Sequence, residues 1–328
     1  MSDVFKIMGD KPVSIIIADA MVITDSKIKK YDRIACSISG GADSDVMLDM
    51  CVKLDPEKKI RYVFFDTGIE YEATKKHLDY LEKKYGIEIT RIRAKVPVPF
   101  GCRKYGVPFL SKKISDNIGR LQRHGFQWED GTLEELLLKY PRCKSALRWW
   151  CNEWGEKSSF NIKNHKYLKE FLMTYPPDFD ISADCCKGAK KDTSKQFNKD
   201  FKPEVLFIGV RQGENGARST IYKNCFTPGK DHDNYRPIFW FSDEDKEIYK
   251  NCFDVKNSDC YECYGLSRTG CAGCPFGSGF ENELRIIKEH EPKLYEAVNK
   301  IFGKTYEYTR KYREFKANYR PKEEASNE

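Results

Sequence analysis

The hexapeptide Ser39-Gly40-Gly41-Ala42-Asp43-Ser44 constrains the fold of this chain more tightly than any other stretch. It follows the apolar run Ile34-Ala35-Cys36-Ser37-Ile38 and precedes the apolar-periodic Val46-Met47-Leu48-Asp49-Met50-Cys51, so the order reads strand, loop, helix. Two glycines let a backbone approach an anion, and the opening turn of a helix offers unpaired N–H groups at its positive dipole end. Ser39 and Ser44 add hydroxyl donors, and Asp43 is placed to help hold a magnesium ion on bound phosphates. The lysine of a G-x-x-x-x-G-K-[ST] loop is missing, which argues against an ordinary γ-phosphate-transferring ATPase. A glycine-rich turn with no ligand is the plain alternative.

The alternation continues beyond the loop. Residues 15–30 read as an amphipathic helix, 60–65 as a strand, 70–85 as a charge-paired helix and 87–94 as a strand; the sheet resumes at 205–210. Strands alternating with helices imply an α/β fold with a doubly wound parallel sheet, its ligand crevice at the strands' carboxyl ends. Val96-Pro97-Val98-Pro99-Phe100-Gly101 breaks this rhythm and opens a stretch expected to be irregular to about Asp130. The expected layout is a nucleotide-binding α/β domain over 1–240 with an irregular insertion near 96–200. A cysteine-rich and helical portion follows over 241–320, then a disordered polar tail over 321–328.

Composition narrows the class. A chain of 328 residues can bury a full α/β core, and 40% hydrophobic with 13% aromatic residues excludes wholesale disorder. No apolar run approaches a membrane span, and Met1-Ser2-Asp3-Val4 lacks a signal-peptide layout, so a cytoplasmic enzyme is expected. In a reducing compartment, thirteen cysteines point to metal or redox chemistry rather than disulfides. The net charge of +7 suits an anionic substrate without separating nucleotides from nucleic acid.

The S-G-G-x-D-S loop resembles the PP-loop of the N-type ATP pyrophosphatases and of the related phosphoadenylyl- and adenylyl-sulfate reductases. Phe64-Phe65-Asp66-Thr67-Gly68-Ile69-Glu70 is similar to the family's D-T-G segment after its second strand. Gly209-Val210-Arg211-Gln212-Gly213-Glu214-Asn215-Gly216-Ala217-Arg218 is similar to its G-x-R-x-x-E-S-x-x-R, with Asn215 in place of serine. Tyr235-Arg236-Pro237-Ile238-Phe239-Trp240 and the following acidic helix start resemble P-L-x-x-W-x-x-x-D-V, so the matches run from about residue 30 to 280 in the family's order. The resemblance implies a Rossmann-like nucleotide α-hydrolase fold and an adenine nucleotide, ATP with magnesium. Ser39, Gly40, Gly41, Asp43 and Ser44 would cradle its phosphates, and Asp66 and Gly209 would line the nucleotide site. Arg211 and Arg218 would be clamps on phosphate or adenylate oxygens, with surface salt bridging as their structural alternative.

Cys185-Cys186 and the distant Cys271-Ala272-Gly273-Cys274 form the second chemical feature. Four thiolates suit a [4Fe–4S] cluster or one zinc ion. Adjacent cysteines are awkward joint ligands of one small ion, whereas a cluster offers each its own iron. The arrangement resembles the cluster-binding pattern of the assimilatory adenylyl-sulfate reductases, and Gly265-Leu266-Ser267-Arg268-Thr269-Gly270-Cys271 resembles short cluster-bearing relatives. Lys187, Lys190 and Lys191 fit an anion near a cluster. A competing set, Cys260, Cys263, Cys271 and Cys274, suggests a zinc knuckle with a short inner loop. Cys143 and Cys151 read as packing residues, as do Cys36, Cys51, Cys225 and Cys252, and Cys102 reads as a loop cysteine.

One departure matters. The assimilatory reductases carry a catalytic cysteine in a C-terminal E-C-G-[LI]-H motif, and here no cysteine follows Cys274. Three readings stand: an ATP-cleaving, cluster-bearing enzyme of sulfur transfer; a sulfonucleotide reductase; a nucleotide- and cluster-binding partner subunit without turnover. The related families thiolate tRNA bases or act in DNA phosphorothioation, which implies a nucleic-acid acceptor and a sulfur-donor protein as partners. Near the C-terminus Arg310, Lys311, Arg313, Lys316 and Arg320 intersperse with Tyr308, Tyr312, Phe315 and Tyr319, as in nucleic-acid binding. The aromatics also fall at helical spacing, which suits packing instead.

Overall fold

The computed structural model of the chain describes residues 3–213, 222–277 and 279–319. It divides into two compact units, residues 1–95 with 189–272 and residues 96–188 with 273–328.

The first unit is built on one sheet. Among the described residues it has six strands in the order β3-β2-β1-β4-β6-β5. These are β1 Ile34–Ile38, β2 Ile60–Asp66, β3 Ile89–Arg93, β4 Val205–Ile208, β5 Phe226–Thr227 and β6 Asp233–Tyr235. All neighbours are parallel except β5 and β6, which pair antiparallel. β1 lies inside the sheet and is covered on both faces, so it is buried almost throughout rather than on alternate residues.

The helix Ala42–Leu54 leaves β1 through the glycine-rich loop. It too is buried on most of its circumference, because the helices Ile15–Lys30 and Asp243–Phe253 cover the side that the sheet does not. Asp49 survives inside that packing because the hydroxyls of Tyr85 and Tyr249 donate to it at 2.8 and 2.9 Å, together with the Lys53 ammonium. The next helix, Glu72–Tyr85, stops at Gly86, whose φ of 59° a side chain would resist.

The second unit is helical, around a core of Phe109, Trp149, Trp150 and Phe171. Its long helix Pro292–Asn318 inserts Tyr308 and Tyr312 there, and their hydroxyls donate to the carbonyls of Tyr175 (2.6 Å) and Lys166 (2.8 Å). The aromatic spacing in this segment therefore serves packing.

The stretch after Val96 differs from expectation: it holds the helices Val98–Tyr105 and Lys112–Arg123. Pro97 and Pro99 stand before and within the first turn, where no intrahelical N–H donor is needed, so they open a helix rather than prevent one. Ser111 caps the second helix by accepting from Ile114 N–H at 3.2 Å, and Ile114, Ile118 and Leu121 form its buried stripe. Among the described residues no helix is long and apolar enough to cross a membrane. The tail expected to be disordered lies outside the described residues.

Candidate functional site

The loop after β1 folds around its own hydroxyls. Ser39 N–H donates to Ser44 Oγ at 2.9 Å, and Gly41 N–H donates to Ser39 Oγ at 3.3 Å. The hydroxyl of Tyr261 lies over the loop, 3.1 Å from where a Cβ on Gly41 would stand. Gly40 takes a φ of 66°, and a Cβ there would stand 2.8 Å from Thr74 Cγ2. Gly209, just past β4, lets the two backbone segments approach: its added Cβ would lie 3.2 Å from Ser44 Cα. From β1 the order runs through β2 to β3, and from β4 through β6 to β5 on the other side. The loop thus lies at the point where the winding reverses, the crevice in which open α/β sheets take ligands.

Arg211 supplies the charge there. Its Nε donates to Asp43 Oδ1 at 2.9 Å, its Nη2 to Asp243 Oδ1 at 2.9 Å and its Nη1 to the Phe241 carbonyl at 3.4 Å. Lys246 Nζ stands 3.8 Å from both carboxylates. Burial works against the charge on the guanidinium, but Asp43 and Asp243 outweigh it and raise the Arg211 pKa. Asp66 ends β2 and accepts from Gly68 N–H at 2.7 Å, fixing the turn that follows. Thr67 N–H in that turn donates to Glu70 at 3.1 Å; burial raises the Glu70 pKa against the pull of Thr67.

Behind the loop Asp45 is fully buried, with Oδ2 3.0 Å from His77 Nε2 and Oδ1 lacking a hydrogen-bond partner. Burial raises its pKa, and His77 offsets part of the rise. Ser39, Gly40, Gly41, Asp43, Ser44, Gly209 and Arg211 therefore come together, with Asp66 on the same end of the sheet. Arg218 lies outside the described residues. The chemistry fits an anion: glycine concavities that a Cβ would fill, N–H groups held by rotatable hydroxyls, and a buried guanidinium.

All thirteen cysteines are thiols. In the second unit, Cys185 and Cys186 occupy a short turn of helix, Asp184–Cys186, against the helix Val98–Tyr105. A Cβ on Gly101 would lie 3.3 Å from Cys185 Cα. Cys185 hydrogen-bonds Cys102 and Cys186; the Cys102 contact, then burial, push its pKa up, with Cys274 close enough to add to the rise. Cys102 is therefore not the loop cysteine the sequence suggested: it is a buried helix residue touching Cys185. Nearby, Tyr306 donates to the carbonyl of Gly273.

Cys271 belongs to the first unit, where its Sγ stands 3.6 Å from Thr67 Oγ1 and Ala272 N–H donates to the Ile69 carbonyl at 3.0 Å. Cys260 is buried beside Thr74, while Cys263 is exposed beside Asp259. Cys36, Cys51 and Cys143 are buried as packing residues, whereas Cys151, Cys225 and Cys252 are half-buried. Among the described residues, no three His, Cys, Asp or Glu side chains form the shell of a single metal ion.

Sequence reasoning missed Tyr261, Cys102 and the Asp45–His77 pair. Nothing in a local pattern flags a tyrosine that reaches a loop more than two hundred residues away in the chain.

A mostly parallel sheet with a serine–glycine loop at its switch point defines an α/β domain of the doubly wound kind. Residues 33–106, from β1 through the helix Val98–Tyr105, match the model of the phosphoadenosine phosphosulfate reductase domain, and this segment carries that family's pattern. The chain is 27% identical over 293 residues to an uncharacterized protein of Methanocaldococcus jannaschii, MJ0066, covering 88% of this chain and 44% of that one. It thus spans less than half the length of that relative. Among solved structures it is similar to phosphoadenylyl-sulfate reductase from Candida auris in a phosphate complex, at 11% identity and a TM-score of 0.42, covering 77% of this chain and 87% of that one. It is also similar to the U34-tRNA thiolase NcsA from Methanococcus maripaludis with its [4Fe-4S] cluster, at 12% identity and a TM-score of 0.34, covering 92% and 80%.

Proposed function

We propose that this protein binds ATP, cleaves it to an adenylate or AMP and pyrophosphate, and supports sulfur transfer. The observation that carries this reading is the loop at the switch point, with its N–H groups held by hydroxyls and the Arg211 guanidinium beside it. An acceptor oxygen bonds to the α-phosphorus, the bond from that phosphorus to the bridging oxygen breaks, and pyrophosphate leaves. Ser39, Gly40, Gly41 and Ser44 hold the leaving pyrophosphate, and Arg211 with Arg218 neutralises the charge that develops. Asp43, kept in place by Arg211, is the protein ligand for magnesium on the phosphates. Asp66 and Gly209 line the nucleotide.

Cys185, Cys186 and Cys274 are the proposed thiolates for a [4Fe–4S] cluster. Cys271 is the fourth by its C-x-x-C spacing, and zinc is the alternative occupant. A cluster held there would be a source of sulfide for an activated centre. A nucleic-acid acceptor and a sulfur-donor protein complete the reading; with Tyr308 and Tyr312 buried, the cations of the last helix are the support for nucleic acid.

The family-model match favours a second reading, a sulfonucleotide reductase. One experiment separates the two. The protein is purified without oxygen, analysed for iron, sulfide and zinc, and assayed with ATP and with adenylyl-sulfate. Iron with pyrophosphate release, abolished by Asp43→Ala, supports the proposal. Sulfite release from adenylyl-sulfate supports the reductase instead, and zinc without turnover overturns both.

A further inference from the structure

The stripe Tyr308, Tyr312, Phe315 and Tyr319 follows helical spacing along the last helix, but only its first half is spent on the core. The rings of Tyr308 and Tyr312 are buried, and their hydroxyls are committed to carbonyls. Beyond them the stripe continues onto the surface of the second unit as a run of rings in mutual contact. Phe315 and Tyr319 have centroids 4.8 Å apart, Tyr167 lies 4.8 Å from Tyr319, and Tyr175 lies 6.0 Å from Phe315. Tyr175, Phe315 and Tyr319 line an open cavity of about 420 Å³.

This outer half is not finished as packing. Tyr175 is 38% exposed. Among the described residues the hydroxyls of Tyr167, Tyr175 and Tyr319 make no hydrogen bond, in contrast to those of Tyr308 and Tyr312. Tyr167 holds φ at 58°, in the left-handed region that a bulky side chain enters only at a cost, so its ring is kept beside Tyr319 against the local backbone preference. Lysines accompany the rings. Lys311 Nζ stands 3.6 Å from the Tyr175 centroid, Lys166 Nζ 4.8 Å from that of Tyr167 and Lys316 Nζ 5.9 Å from that of Tyr312. None of the three has a carboxylate partner among the described residues.

We propose that the cavity of Tyr175, Phe315 and Tyr319, extended by Tyr167, is a platform on which single-stranded nucleic acid stacks its bases, with Lys166, Lys311 and Lys316 as the phosphate contacts. A proline-rich peptide would cover such rings but leave the three ammonium groups unanswered. A single strand answers both, because every base has a flat face and every link carries a charge. The inference rests on the nucleic-acid part of the proposed function and deepens it by naming the surface; it does not depend on ATP cleavage.

The test uses the full chain and a fluorescein-labelled oligothymidylate of roughly twelve nucleotides, read by anisotropy across a salt series. Tyr175→Ala is expected to weaken binding about ten-fold, the equivalent of one base–aromatic stack. Tyr319→Ala, at the end of the helix, should do the same and serves if Tyr175→Ala fails to fold. An abasic strand of the same length should bind wild type and both variants alike, since it has nothing to stack. Lys311→Ala should weaken binding of both strands and lower the salt slope by about 0.7. Oligothymidylate binding indifferent to Tyr175 and Tyr319 overturns the inference and leaves nucleic-acid binding to another surface. No binding of single strands by wild type overturns the nucleic-acid reading and the inference with it, and Tyr175-dependent binding of a polyproline peptide in that case assigns the platform to peptide instead.

Discussion

Arg211 Nε lies 2.9 Å from Asp43 Oδ1, tying the segment after β4 to the first turn of the loop's helix. The arginine side chain is 7% exposed, so the pair is held largely out of water, whereas the second partner, Asp243, is 86% exposed and contributes little. Arg211→Ala strands Asp43 beside Lys246 alone, and the expected loss is about 3 kcal/mol of unfolding free energy by urea titration. Arg211→Lys recovers only part of this, because an ammonium lacks the planar fork that serves two carboxylates and the Phe241 carbonyl together. If both variants unfold at the wild-type urea concentration, the pair is not structural.

Gly40 carries two separable costs for any side chain. Its φ of 66° costs an alanine about 1–2 kcal/mol, and contact with Thr74 Cγ2 at 2.8 Å adds crowding. Gly40→Ala is expected to lose more than the strain alone. Thr74→Ser in the same chain removes Cγ2 and should return the crowding component only. A double-mutant cycle on thermal unfolding reads the difference.

Asp45 gives a pH signature. Burial raises its pKa in the folded state above the ordinary value, so the native state binds its proton more tightly than the unfolded chain does. That preference stabilises the fold at pH below the unfolded-state value and fades as pH rises through the folded-state value. Relative to Asp45→Asn, which cannot ionise, wild type should lose stability as pH climbs from the ordinary carboxylate range toward neutrality. Urea titrations of both proteins across that range check the sign; a difference that grows in the opposite direction refutes it.

Tyr308 distinguishes packing from base stacking. Tyr308→Phe removes the hydrogen bond to the Tyr175 carbonyl and should cost about 1 kcal/mol. Tyr308→Ala empties a site lined by Phe109, Phe171 and Phe179 and should cost about 3–5 kcal/mol in thermal unfolding. Neither change should alter binding of single-stranded oligonucleotides at temperatures where the protein stays folded, as filter binding or anisotropy would show.

The central strands were legible because their apolar runs are bounded by turn residues and separated by periodic helices. Ile34–Ile38 and Ile60–Asp66 are of this kind. β5 and β6, of two and three residues, carry too little pattern to be read. The helix Val98–Tyr105 was hidden by prolines whose meaning depends on position, breakers in a helix interior and acceptable in its first turn. At the site, the loop was plain because its residues are contiguous. The contact of Cys102 with Cys185 joins residues eighty-three positions apart and has no local signature.

The second unit is assembled from two stretches separated by residues 189–272, which belong to the first. On a ribosome making the chain from its amino terminus, the last described strand, ending at Tyr235, has been synthesised before Cys274 emerges. Cys185 and Cys186 are therefore made well before Cys274, the last of their neighbouring thiols, and every described strand of the sheet is synthesised before Cys274. A group that needs all of those thiols can be loaded only after the glycine-rich loop and every described strand have been made.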